Sequence, residues 1–250
     1  MDENWSSSKV VLSMSGGLDS TMLALWWLNK GKTVKAYAFD YGQKHDVELK
    51  KLKKNIAFLQ SKNLPIELQV INLKDCFSDS TSSLRGNGEI PKENYDKDSM
   101  KSTVVENRNV IFSSIIYGKA LSWAKRENEN VIISLGIHGG DHSLYPDTTQ
   151  ESRDALEKAF QVSNWGSERI HYFAPFISLP KSEVLREGIY AMSDLGFKKS
   201  EVNKVLKNTH SCYDPNEKGD SCGECGTCKE RIDAFKKLSW KDPIKYIDKN

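Results

Sequence analysis

Residues 12–21 read LSMSGGLDST, and they decide the fold because they join an uninterrupted apolar run to an amphipathic one. The run before them, KVVLSM at 9–14, lacks the alternation of a half-exposed strand and predicts a buried strand of a parallel sheet. The run after them, residues 18–31, carries apolar side chains at helical spacing. The two glycines therefore lie where a buried strand turns into a helix.

The same alternation continues along the chain. Further strands are predicted at 33–42, 66–73 and 130–137, and further helices at 44–63 and 109–126. Strands separated by helices predict an α/β fold with a doubly wound, mostly parallel, Rossmann-like sheet. Residues 78–102 are polar, contain glycine and proline, and are too long for an ordinary connection, so we expect a mobile lid there.

Length and charge limit the classes of function. The chain has 250 residues, enough for one main core with a small appendage. Its 36 basic and 34 acidic residues give a net charge of +2, so direct binding of DNA or RNA is not expected. No apolar stretch approaches the roughly 18 residues of a membrane span, and the first residues do not resemble a secretion signal. We therefore expect a cytoplasmic protein that does not contact a membrane.

The small residues at the first strand-to-helix junction predict an anion site. The first N–H groups of a helix are unpaired and carry the positive end of its dipole. Gly16 and Gly17 would expose amides, Ser15 and Ser20 would add hydroxyl donors, and Asp19 could hold a magnesium ion. Neither the Walker nor the dinucleotide signature is present, so pyrophosphate suits the loop better than a transferred γ-phosphoryl group. The alternative is a plain helix cap made by Ser15 or Asp19.

Four cysteines near the C-terminus predict a metal centre. Cys212, Cys222, Cys225 and Cys228 follow the pattern C-x9-C-x2-C-x2-C. Two such C-x2-C turns suit a closed tetrahedral zinc site, which is usually structural. An iron–sulfur cluster can use the same spacing and remains an alternative, whereas disulfides are disfavoured in a reducing compartment.

Several motifs resemble known families. SGGLDS at 15–20 resembles the loop of the N-type ATP pyrophosphatases, which have the adenine nucleotide alpha hydrolase-like fold and cleave ATP between the α- and β-phosphates. Together with the cysteine pattern, the chain resembles the 7-cyano-7-deazaguanine synthase (QueC) family. The motifs that carry this second resemblance, in chain order, are FDYGQKH at 39–45, STVVENRN at 102–109, GGDHSLYPD at 139–147, PFISLPKSEV at 175–184, THSCY at 209–213 and CGECGTCKERIDAF at 222–235.

The resemblance implies an ATP-dependent C–N ligase that converts 7-carboxy-7-deazaguanine and ammonia to 7-cyano-7-deazaguanine (preQ0) through an acyl adenylate and an amide. It implies Zn2+ on the four cysteines, Mg2+ with ATP, and a homodimer. The implied division of the chain is a catalytic domain at 1–200 and a helical zinc-binding segment at 201–250.

Roles follow from the resemblance position by position. The catalytic residues are Ser15, Asp19, Ser20 and Lys181. The ATP contacts are Met14, Ser15, Gly16, Gly17, Leu18, Asp19, Ser20, Thr21, Ala38, Phe39 and Asp40. The substrate contacts are Arg108, Asn109, Asp141, Tyr145 and Asp147.

The chain departs from the family pattern where the acid and the nucleophile should bind. Glu106 replaces a proline, Thr148 replaces a cysteine and His210 replaces a tryptophan. These changes leave open a QueC-like enzyme that adenylates the deazaguanine acid and transfers it to another amine, on a protein or a nucleic acid. A non-catalytic adaptor that binds ATP and zinc is the further alternative.

Overall fold

In the part of the chain that the structure describes, one five-stranded sheet forms the centre, which confirms the α/β prediction. The computed structural model describes residues 7–43, 47–85, 88–92, 98–138 and 146–247. All strand pairs are parallel, in the order β3-β2-β1-β4-β5. The strands are β1 (Lys9–Ser13), β2 (Thr33–Asp40), β3 (Ile66–Asn72), β4 (Val131–Ser134) and β5 (Ile170–Phe173). The helices are α1 (Leu18–Asn29), α2 (Val47–Ser61), α3 (Arg108–Glu127), α4 (Gln150–Ser163), α5 (Lys181–Asp194), α6 (Lys199–Lys207) and α7 (Gly226–Lys237).

Helices cover both faces of the sheet because the central strands are apolar on both sides. In β1, Val10 and Leu12 face a core formed with α1, α2, α5, α6 and α7, whereas Val11 faces a second core formed with α3. All three valine and leucine side chains are fully buried. The sheet is therefore doubly wound, as the uninterrupted apolar run at its centre predicts.

The fourth strand is shorter than its sequence suggests. The predicted strand at 130–137 ends at Ser134, because the chain then crosses the start of α1. A Cβ atom on Gly136 would lie 3.2 Å from the backbone of Ser20. The glycine thus permits a close crossing beside the loop at residues 15–17.

The segment predicted as a lid is anchored at two places. Phe77, Leu84 and Ile90 pack in a small core together with three of the cysteines. The Glu106 carboxylate accepts hydrogen bonds from the hydroxyls of Ser80 and Thr81, which lower its pKa to about 2. Movement of this segment as a lid stays a prediction.

The C-terminal part packs on the main body through α7, which contacts α5. Arg231 of α7 is 1 % exposed, and its guanidinium donates to the Asp242 carboxylate and to the Thr209 hydroxyl. The division near residue 200 stays a prediction; α6 begins beside it. Among the described residues, no helix is both long and apolar enough to cross a membrane.

Candidate active site

A cavity of about 570 Å³ opens at the carboxyl ends of the strands, between β1 and β4. This is the point where the strand order reverses, which is where open parallel sheets bind ligands. The start of α1, the start of α3 and the loop after β4 form its walls. The polar side chains that line it include Ser15, Asp19, Ser20, Glu48, Arg108, Asn109, His138, Asp147, Arg153, Lys181 and His210.

The glycine loop takes a backbone form that only glycine accommodates well. Gly16 has φ of +99°, and a Cβ atom there would lie 2.8 Å from the Glu48 carbonyl oxygen. The Gly17 amide donates to the Ser15 hydroxyl, at 3.0 Å. Helix α1 begins after Gly17 without a side-chain cap, contrary to the alternative in which Ser15 or Asp19 caps it. First-turn amides at such an end suit an anion.

A buried lysine joins two carboxylates on one side of this loop. The Lys181 ammonium lies 3.3 Å from the Asp19 carboxylate and donates to the Glu230 carboxylate at 2.7 Å. The Nε2 atom of His138 lies 3.8 Å from an oxygen of each carboxylate. The other Asp19 oxygen, Oδ1, is buried and has no hydrogen-bond partner among the described residues. An orphaned carboxylate oxygen fits a ligand for Mg2+.

A second acidic group touches the loop from the opposite side. Glu48, in the first turn of α2, hydrogen-bonds to the Ser15 hydroxyl, and its carboxylate would lie 3.7 Å from a Cβ on Gly17. Burial raises the pKa of this carboxyl to about 7, although the hydrogen bond from Ser15 and the charge of Arg108 oppose the shift. Glu48 is therefore part protonated near neutral pH.

Glu48 makes the stability of the protein depend on pH. Because its pKa is raised on folding, the folded state binds the extra proton between about pH 4.5 and 7, so stability falls as pH rises through that window. Between pH 5 and pH 8 the free energy of unfolding of the wild type should fall by ~2 kcal/mol relative to that of Glu48→Gln, which has no carboxyl to lose a proton. Urea denaturation at both pH values measures this difference. The control is Glu151→Gln, which changes an exposed carboxyl on α4. If the unfolding free energies of Glu48→Gln and wild type differed by the same amount at both pH values, the raised pKa of Glu48 would be wrong.

The start of α3 provides another polar wall of the cavity. The Arg108 guanidinium donates to the Tyr41 hydroxyl at 3.2 Å, and the Asn109 amide donates to the Asp147 carboxylate at 2.8 Å. Arg108, Asn109 and Asp147 thus meet in one cavity. Asp141 and Tyr145, the other predicted substrate contacts, lie outside the described residues.

The residues predicted to contact ATP divide into two groups. Ser15, Gly17, Asp19 and Ser20 line the cavity. The other predicted ATP contacts among the described residues do not line it: Met14, Gly16, Leu18, Thr21, Ala38, Phe39 and Asp40. Adenine contact at Ala38, Phe39 and Asp40 stays a prediction. Three of the other predicted contacts have fully buried side chains, so only their backbone could contact a nucleotide: Met14, Leu18 and Thr21.

The four cysteines converge as predicted. Their sulfur atoms all lie within 4.8 Å of one another, and none forms a disulfide. Four thiolates around one tetrahedral ion lie about 3.8 Å apart, so this spacing suits a mononuclear metal site. The amides of Cys222 and Cys225 donate to the sulfurs of Cys212 and Cys222, at 3.2 and 3.3 Å. Such donors stabilise thiolates, as a metal ligand requires.

Two carboxylates of the site were missed by sequence reasoning. In the sequence, Glu48 is one of many charged residues on an amphipathic helix, and Glu230 is a residue inside the cysteine motif with no expected role. Glu230 reaches Lys181, which lines the cavity, only because α7 packs on α5. A contact that depends on helix packing leaves no signal in the local sequence. The closeness of Glu230 to Cys228 was the one indication that it could lie near a site.

A glycine loop at the switch point of a parallel sheet, with cationic and carboxylate side chains around it, is an arrangement with which α/β enzymes bind phosphorylated ligands. The model of the family "Queuosine biosynthesis protein QueC" matches residues 9–239. The chain belongs to the QueC family. It is an enzyme of the ligase class, similar to the synthases of that family.

Individual relatives agree with the family. The chain is 35% identical over 241 residues to the 7-cyano-7-deazaguanine synthase of Marinomonas sp. (strain MWYL1), covering 96% of this chain and 99% of the relative. It is 35% identical over 239 residues to the enzyme of the same name from Caldicellulosiruptor bescii, covering 95% and 97%. Among solved structures, NMN synthetase from Francisella tularensis aligns with a TM-score of 0.42 and 14% identity, over 95% of this chain and 80% of that one.

Proposed function

We propose that this enzyme converts 7-carboxy-7-deazaguanine and ammonia to 7-cyano-7-deazaguanine with ATP. The observation that carries the proposal is that the glycine loop, Asp19 and Lys181 line one cavity together with Arg108 and Asn109. The first group suits a diphosphate and the second a planar acid. The relatives that are named for this activity align with this chain over almost their whole length.

The proposed reaction proceeds by two activations. The acid attacks the α-phosphate of ATP, which gives an acyl adenylate and pyrophosphate; ammonia then displaces AMP and leaves the amide. A second ATP adenylates the amide oxygen with release of pyrophosphate, and loss of AMP and a proton yields the nitrile. Each cycle thus releases two AMP and two pyrophosphate per nitrile.

The loop and its neighbours would stabilise the leaving pyrophosphate. The amides of Gly16 and Gly17 and the hydroxyls of Ser15 and Ser20 supply donors, and Lys181 supplies a positive charge. Asp19 would hold Mg2+, which offsets charge on the phosphates. Arg108, Asn109 and Asp147, with Asp141 and Tyr145, would hold the deazaguanine acid through charge and hydrogen bonds.

The remaining features complete the proposal. The four cysteines would hold Zn2+ in a structural site, because zinc favours four thiolates in a closed tetrahedron. We further propose a cytoplasmic protein, and a homodimer as the resemblance implies, divided near residue 200 into a catalytic domain and a zinc-binding segment.

Mass spectrometry of the products tests the function. Purified enzyme is incubated with ATP, Mg2+, the deazaguanine acid and ammonium, and each component is omitted in turn. We expect the nitrile only in the complete mixture, the amide as an intermediate, and AMP only when the acid is present. Absence of AMP in the presence of the acid would refute the proposal.

A second acceptor is favoured by two residues of the cavity wall. Thr148 and His210, two of the departures from the family pattern, are buried and line the cavity. His210 lies against Lys51, with 3.3 Å between Nδ1 and Nζ. An enzyme altered there would still adenylate the acid but transfer it to an amine on a protein or nucleic acid. Formation of AMP without nitrile in the assay above would favour this candidate over ammonia.

A further inference from the structure

We propose that Glu230 is a positioning residue that fixes the Lys181 ammonium at the phosphate site. The inference rests on the proposed function in one respect, the contact of Lys181 with a diphosphate. Nothing in the sequence motifs assigns a role to Glu230, which lies on α7 between a cysteine and the buried Arg231.

The geometry makes Glu230 the closer of the two described carboxylates that Lys181 contacts. Lys181 is 5 % exposed, and its ammonium lies 2.7 Å from Glu230 and 3.3 Å from Asp19. The side chains of Glu230 and Asp19 are 22 % and 20 % exposed, so this ion-pair network lies largely out of water. A charge held in such surroundings requires paired partners.

The balance of charge shows why a second carboxylate is useful. If Asp19 were the sole partner of Lys181, the two side chains would neutralise each other, and Asp19 would hold a cation less well. With Glu230 as counter-charge, Asp19 can ligate a cation while the lysine ammonium stays in place. Glu230 therefore lets both groups act on one diphosphate.

Glu230 also connects this site to the cysteine cluster. It follows Cys228 by two residues on α7, whose N-terminal flank is Cys225. Thr227 of the same turn lines the cavity. The order of the cysteine cluster thus determines where the start of α7 places the Glu230 carboxylate, and hence where Lys181 points.

Binding of inorganic pyrophosphate tests the inference without the acid. Isothermal titration of the metal-loaded protein, in the presence of Mg2+, compares wild type with Glu230→Gln, which keeps the shape and removes the charge. We expect Glu230→Gln to weaken binding roughly tenfold and Glu230→Asp to recover part of that loss. The control is Asp233→Asn on the same helix, where an exposed carboxylate pairs with Lys237 at 2.8 Å; it should bind as wild type does.

A double-mutant cycle separates positioning from a merely structural role. If Glu230 acts through Lys181, Glu230→Gln should weaken binding in the wild type but add little in a Lys181→Met background. Bound metal should stay unchanged in Glu230→Gln, and the variant should remain folded at the temperature of the titration, although it should unfold at a lower temperature because the buried Lys181 charge loses one partner. Wild-type affinity in Glu230→Gln, additive losses in the double variant, or loss of the metal would each overturn the inference.

Failure of the proposed function is distinguishable from failure of this inference. A wild type that binds pyrophosphate but makes no nitrile leaves the role of Glu230 intact. A wild type that makes nitrile, with Glu230→Gln binding pyrophosphate equally well, refutes only the positioning role.

Discussion

Asp19→Asn is expected to lower the rate of AMP formation by about 10³-fold or more while the protein stays folded. The Asp19 side chain contributes one oxygen to the Lys181 pair, and its other oxygen is buried without a hydrogen-bond partner among the described residues. Asparagine preserves the shape but removes the negative charge, so it would neither hold a cation nor pair with the ammonium. Steady-state release of AMP at saturating ATP and acid measures the loss.

The control for this variant is Asp154→Asn, which neutralises an exposed carboxylate of α4. It should retain wild-type activity. Thermal unfolding of both variants shows whether lost activity reflects lost structure. If Asp19→Asn kept its activity within tenfold of wild type, the loop would have to bind its ligand without this carboxylate, and the proposed role of Asp19 would be wrong.

Cys225→Ser is expected to remove the bound metal and to lower the free energy of unfolding by more than ~4 kcal/mol. Cys225 is fully buried, and three sulfurs and three apolar side chains of the 77–90 segment pack in the same small core. Serine is a poor ligand for a site of thiolates, and it leaves a hydroxyl among apolar groups. Metal analysis and urea denaturation measure the two effects.

Cys76→Ser makes the same chemical change at an exposed cysteine outside the cluster. It should keep one metal ion per chain and wild-type stability. The spectrum of the metal-loaded wild type also separates zinc, which is colourless, from an iron–sulfur cluster. Wild-type stability in Cys225→Ser would show that the cluster does not hold the fold together.

Local pattern was sufficient for the centre of the molecule. The uninterrupted Val10–Leu12 run identifies β1 because only a strand covered on both faces tolerates it. The glycines after it identify the loop, since a left-handed residue such as Gly16 is needed where the chain turns toward α1. The cysteine spacing identifies the cluster because ligands close in sequence can surround one ion.

Tertiary contacts account for what the sequence could not show. Strand β5 (Ile170–Phe173) has four residues, too few for periodicity to reveal, and it is held by pairing with β4. Glu48 lines the cavity and Glu230 pairs with Lys181 at its edge, but the two carboxylates come from helices far apart in sequence and approach this region only after folding. The predicted end of β4 was wrong because the approach of Gly136 to Ser20 cannot be inferred from the sequence of either segment.

Residues 242–247 form a strap that holds the cysteine segment and α7 together, and this limits the order in which the C-terminal part can fold. The Asp242 carboxylate neutralises the interior guanidinium of Arg231, and Ser221, beside the first C-x2-C turn, exchanges backbone hydrogen bonds with Lys245 and Ile247. The cysteine segment therefore has its full set of contacts only once residues 242–247 have packed against it. The pair of Lys181 with Glu230 on α7 would likewise be completed only at that point.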